Sequence, residues 1–203
     1  MINLERYNAR SPYKATHAAT EGFYEFTTDY GVIYSVGFMA DDSIISQNAY
    51  QFIITNANNR PSPKDEKVKE AIIVMIDEFF NTDKNVLLYI CETGDGKQAM
   101  RNRLFQYWFS QYEKKEEYTF LSSSVIDEEG VVNYATIIVK NSNPYLADAV
   151  REFTETIQMF NRKPWVYPYE GLSELSSENY FCLSLIYVKK LYWALKRRGS
   201  VRL

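Results

Sequence analysis

In EFTTDYGVIYSVGFMADD apolar and polar residues alternate: Tyr24 and Phe26 share one face, the chain turns at Asp29-Tyr30-Gly31, and Val32, Tyr34, Val36 and Phe38 resume the alternation. Successive side chains on a strand point to opposite faces, so this pattern predicts a hairpin with one buried side. Tyr50, Phe52 and Ile54 in YQFIIT keep the period and predict the third strand of a meander. From Ser62 the period changes. Ser62 and Pro63 suit a helix start, with Asp65 at the capping-box spacing, and Val68, Ile72, Met75, Ile76, Phe79 and Phe80 recur as on one helical face. NVLLYIC, residues 85–91, is apolar on both faces, as a covered central strand is.

The stretch ETGDGKQAMRNRLF, residues 92–105, turns on two glycines into a basic helix predicted over 97–112. At 100° per residue, Met100, Leu104, Tyr107, Trp108 and Tyr112 form its apolar face and Asn102, Gln106 and Ser110 lie opposite. Arg101 falls inside the apolar face, with Lys97 one turn earlier. EYTFLSSSVIDEEG and VVNYATIIVK predict a second hairpin turning at residues 127–130, and Asn143-Pro144 opens a helix whose face is Leu146, Val150, Phe153, Ile157 and Phe160. The resulting order, β-β-β-α-β-α-β-β-α, predicts an α+β fold with a mixed, mainly antiparallel sheet. Residues 1–20 read as an irregular leader and 21–162 as the core domain. Residues 163–203 read as a linker, RKPWVYPYEGLSELSS, followed by a basic amphipathic helix.

Composition narrows the class. The chain has 203 residues, 46% hydrophobic and 16% aromatic, enough for one packed domain and an appendage. Its net charge is -3, but the charge is divided: of 23 basic and 26 acidic residues, 6 and 3 fall in 165–203. Phosphate backbones need clustered Lys and Arg, so the acidic core is an unpromising nucleic-acid surface. The basic tail fits a protein partner, a second copy of the chain or an anionic membrane surface. Two cysteines, Cys91 and Cys182, make no disulfide framework. The start lacks a signal-peptide layout, and no apolar run is long enough to span a bilayer, so a cytoplasmic setting is expected.

The candidate chemistry centres on residues 92–105. A strand, a glycine turn and a helix can offer backbone N–H groups to an anion. The Walker pattern fails, because Cys91 and Gln98 occupy the positions that need Gly and Ser or Thr. A simpler anion site is expected from Gly94, Gly96, Lys97, Arg101 and Arg103. Asp95-Gly96-Lys97 also matches a short fragment of metal-dependent nucleases, although that fragment belongs on a strand. Glu92 and Asp95 are paired acids that could bridge to Arg101. An arginine aimed at a core must find such a carboxylate or line a cleft, and both readings stay open. The one histidine, His17, lies in the leader, far in sequence from any nucleophile pattern. Cys91 reads as core, and Asp41-Asp42 and the acids at 127–129 as solvated turns. No metal site and no cofactor are predicted.

The strings DEKVKEAIIVMIDEFF, NVLLYICETGDGKQAMRNRLFQYWF and NPYLADAVREF resemble an uncharacterised family of bacterial proteins over residues 21–160. That resemblance implies no activity. The element order is similar to that of the GCN5-related N-acetyltransferases, which implies acetyl-CoA bound by a glycine-rich loop ahead of the helix after the meander. The matching stretch here, NANNRPSPKDEK, has Arg60 but no glycine. The expected function is therefore a binding or interaction module. The alternatives are a divergent acyltransferase-like enzyme, with Glu92 or Tyr107 in acid-base roles, and an adaptor acting through its C-terminal helix.

Overall fold

The computed structural model of the chain describes residues 2–91, 96–126 and 130–162. Its strands form one seven-stranded sheet, carrying β1 (Ala15–His17), β2 (Phe23–Thr27), β3 (Ile33–Ala40), β4 (Ala49–Asn56), β5 (Val86–Cys91), β6 (Tyr118–Ile126) and β7 (Val132–Lys140) in the order β1-β2-β3-β4-β5-β7-β6. Every neighbouring pair is antiparallel except β4 and β5. Four helices, α1 (Leu4–Arg10), α2 (Glu66–Phe79), α3 (Gln98–Ser110) and α4 (Leu146–Arg162), complete an α+β fold. The elements from β2 to α4 follow the order expected from hydrophobic periodicity. The expected helix within 163–203 lies outside the described residues.

Residues 1–20, read from sequence as irregular, contain α1 and β1. Asn3 caps α1, its side chain accepting from the Arg6 N–H at 3.0 Å, and Tyr7 is wholly buried. The Asn8 side chain holds β1 against the helix, donating to the Ala15 carbonyl at 3.0 Å and accepting from the Ala15 N–H at 2.7 Å. Seven residues make too few turns to display an apolar stripe, which is why periodicity missed the helix.

The start of α2 is also displaced from the expected one. Asp65 caps it, accepting from the Lys67 N–H at 3.0 Å and from the Tyr13 hydroxyl at 2.7 Å. Ser62 instead pairs with the Tyr34 hydroxyl. With Asp65 in extended backbone taking the capping role, the first helical turn begins three residues later than a cap at Ser62 predicts.

Two cores lie on opposite faces of the sheet. On one side Ala71, Ile72, Met75 and Phe79 of α2 and Phe105 of α3 pack over Val36, Phe52, Leu87, Tyr89 and Ile138. On the other, Ala149, Phe153 and Ile157 of α4 pack over Val86, Leu88, Ile137 and Val139. β5 is therefore covered on both faces, as its unbroken apolar run predicted. No helix among the described residues is long and apolar enough to cross a membrane.

Candidate functional site

The parallel pair β4 and β5 shares three residue pairs, Ala49↔Val86, Tyr50↔Leu87 and Gln51↔Leu88. Beyond these β4 stays paired to β3 as far as Asn56, and β5 to β7 as far as Cys91. The sheet thus parts into two leaves at its centre. An aromatic plug fills the gap on the α3 side: Phe105 stands 4.4 Å from the Tyr89 ring and 6.2 Å from Phe52, which is itself 6.0 Å from Tyr89.

The start of α3 lies beside the first residue of β7, where Gln98 Nε2 donates to the Val132 carbonyl at 3.1 Å. Gly96 turns with φ +70°, a conformation glycine adopts freely, and Lys97 precedes the first helical residue. Arg101 is half-buried, and its charge lowers the pKa of both Tyr89 and Cys91 at the end of β5. Burial outweighs that effect, so both groups titrate above their ordinary values. A buried thiol held in its neutral form is a poor nucleophile, and Cys91 acts as core. Lys97 and Arg101 lie one turn apart along one edge of the helix, whereas Arg103 is exposed two residues further round. Gly94, Glu92 and Asp95 lie outside the described residues, as do the acids expected at the second hairpin tip.

The facing of α3 differs from its periodicity. Met100, Leu104 and Tyr107, assigned from sequence to the apolar face, are 53%, 46% and 58% exposed, while Asn102 and Phe105 are 6% and 7% exposed. The sheet beneath explains this rotation. The Ser122 hydroxyl of β6 donates to Asn102 Oδ1 at 3.2 Å and accepts from Thr136 at 3.0 Å and from Gln106 Nε2 at 3.1 Å. All the hydroxyl's hydrogen-bonding capacity is used, so a polar residue of α3 faces inward and an apolar stripe faces out.

Between α2 and α3 runs an open, shallow groove. Ile72, Ile73 and Ile76 form one wall, Phe105, Trp108 and Phe109 the other, and Phe80 and Ile138 the floor. Its walls are almost entirely carbon, except at one end, where Asp77, Tyr112 and Tyr118 meet. There the Tyr112 hydroxyl donates to Asp77 Oδ1 at 2.7 Å, and Arg10 of α1 bonds the other carboxylate oxygen. Burial works against the Asp77 charge, but the hydrogen bonds from Arg10 and Tyr112 overcome it and hold the carboxyl below its usual range. Burial and the neighbouring carboxylate push the Tyr112 phenol far up, and burial, with the Asp77 charge, pushes Tyr118 up to about 12. Next to Asp77, the wholly buried Glu78 accepts from Arg10 Nη1 at 3.0 Å and Asn81 Nδ2 at 2.6 Å, with Arg6 Nε 3.5 Å away. These contacts buckle α1 onto the end of α2. Sequence reasoning missed the groove because it belongs to the spacing of two helices; the apolar residues on both sides of α3 were its only trace.

Residues 64–155 match the model of a family of unknown function, DUF6169. This agrees with the expected kinship to an uncharacterised family. The match includes α2, β5, α3, β6 and β7, and with them every lining residue of the groove. No curated protein matches the chain.

Proposed function

We propose that this chain is a binding module, not an enzyme, and that it takes a small apolar ligand in the groove between α2 and α3. The groove itself carries the reading. It has apolar walls, with Asp77, Tyr112 and Tyr118 gathered at one end, which is the lining character of small-molecule sites. The ligand's body lies between Ile73, Ile76 and Trp108, beside the end where Tyr112 bonds Asp77 and Tyr118 stands close. Those groups fit recognition better than proton transfer: Asp77 titrates low and both tyrosines high, so none is poised near neutral pH.

The test is a titration of the full chain with a medium-chain alkanol and the matching alkanoate, followed by Trp108 fluorescence in a background where Trp165 and Trp193 are Phe. Saturable binding is expected, with loss in a folded Ile73→Asp variant. Binding unchanged by Ile73→Asp overturns the reading.

A second reading is an acyltransferase-like enzyme with an anion site at the start of α3. It is favoured by the parting of β4 from β5 and by Arg101, whose charge reaches Tyr89 and Cys91 at the end of β5. Against it stand the aromatic plug in the gap and the loop at 57–65 without a glycine. A shared element order would not by itself carry the activity. Stabilisation by acetyl-CoA that a folded Arg101→Ala variant loses would establish this reading; a silent titration removes it.

A further inference from the structure

β6 lies at the edge of the sheet and is paired with β7 through nine consecutive residues, Tyr118↔Lys140 to Ile126↔Val132, without a bulge. Its sequence, YTFLSSSVI, contains no charge and no proline. Natural edge strands are usually blunted by one of these devices, because an open edge is a template for another strand. The opposite edge, β1, is only three residues long.

The outward backbone groups of β6 can be identified. The Asn141 N–H donates to the Glu117 carbonyl at 2.8 Å, which places residue 117, and every second residue after it, on the β7 side. Phe120, Ser122, Ser124 and Ile126 therefore face outward. Asn161 Nδ2 of α4 confirms the phase, donating to the outward Ser124 carbonyl at 3.1 Å. Among the described residues, nothing else meets the outward N–H and C=O groups of Phe120, Ser122 and Ile126. Both flanks of the edge are also unfinished: Phe120 on the α3 side and Leu121 and Val125 on the α4 side are only half-buried.

The rest of the chain departs from this place. Asn161 fastens the end of α4 to β6, and residues 163–203 follow. Within them YFCLSLIYV, residues 180–188, is nine residues long, uncharged and apolar in both alternating phases apart from Ser184. The same pattern made NVLLYIC a strand covered on two faces. The intervening residues 163–179 can span up to about 55 Å, more than the length of a nine-residue strand at about 3.4 Å per residue, so the segment reaches either end of β6.

We propose that residues 180–188 of this chain add to the outer edge of β6 as an eighth strand. Main-chain hydrogen bonds to Phe120, Ser122 and Ile126 hold it, and its two faces extend the two cores under α3 and α4.

Amide hydrogen exchange on the full chain, read residue by residue by NMR, tests this. The Phe120, Ser122 and Ile126 amides should be protected in the unmodified chain and lose protection in Leu185→Pro. Proline cannot donate to the ladder. The inward amides of Thr119 and Leu121 should stay protected in both, showing that the fold persists. The proposal is overturned if Phe120 and Ser122 exchange freely in the unmodified chain, if their protection survives Leu185→Pro, or if residues 180–188 show helical carbon shifts. Protection that grows with protein concentration, together with a dimer in sedimentation, would assign the edge to a second copy and also overturn it.

Discussion

At Asn102 a polar side chain lies where a count of periodicity puts solvent, because Ser122 and Thr136 stand opposite it on the sheet. Replacing it tests the observed facing of α3. Asn102→Ala removes the acceptor of a part-buried hydroxyl and should cost about 1–3 kcal/mol in urea unfolding. Met100→Ser and Leu104→Ser, on the exposed side, should change stability by no more than about 0.5 kcal/mol. Larger costs at Met100 and Leu104 than at Asn102 would show that the helix faces the other way. The sequence could not reveal this choice alone, since α3 carries apolar residues on both sides, Met100, Leu104 and Tyr107 on one and Phe105 and Phe109 on the other. Only the sheet partners decide between them. Arg101 was legible as a half-inward cation, but the acids expected to meet it, Glu92 and Asp95, lie outside the described residues.

Among the elements, α1 is held by charge more than by length. Arg10 bonds Asp77 and Glu78 together, and Glu78 is wholly buried. Because the Arg10 side chain is 44% exposed, water offsets part of its loss. Arg10→Ala should therefore destabilise the fold by about 1.5–3 kcal/mol, short of the cost of stranding a fully buried pair. Denaturant midpoints for Arg10→Ala and Arg10→Lys would show whether the two-pronged guanidinium contact matters. The pH dependence has a definite sign. The folded carboxyl of Asp77 titrates below its unfolded value, so its contribution is complete at neutral pH and disappears as pH falls below about 4 and through the folded pKa. Asp77→Asn should flatten that acid limb of the stability curve. Strands β2 to β7 and the three longer helices were legible because each repeats its period over several turns or alternations; the three-residue β1 and α1, with one wholly buried side chain, Tyr7, repeat nothing.

For the molecule as a whole, the sequence showed the succession of elements but not how the strands pair. The register of β4 on β5 depends on residues more than thirty positions apart, and their parting after Leu88 leaves no mark on either strand's alternation. Phe105 ties the two leaves together. Phe105→Ala should cost about 3–5 kcal/mol, the usual range for emptying an aromatic site in a core. Thermal unfolding of that variant should also lose its single sharp transition if the plug couples the leaves. A sharp transition of unchanged cooperativity would assign the coupling to the three residue pairs alone.

Those three pairs have a consequence for how the chain comes together. β2 with β3, β3 with β4, and β6 with β7 are neighbours in sequence and can pair as soon as their turns form, whereas the β4–β5 junction must wait until α2 has crossed over. The junction is also the shortest ladder inside the sheet apart from the edge pairing of β1. The β5–β7 pairing closes a still longer loop but is held by six residue pairs, so the three-pair junction is the weakest seam between the two leaves, and the aromatic plug is what commits them to one another.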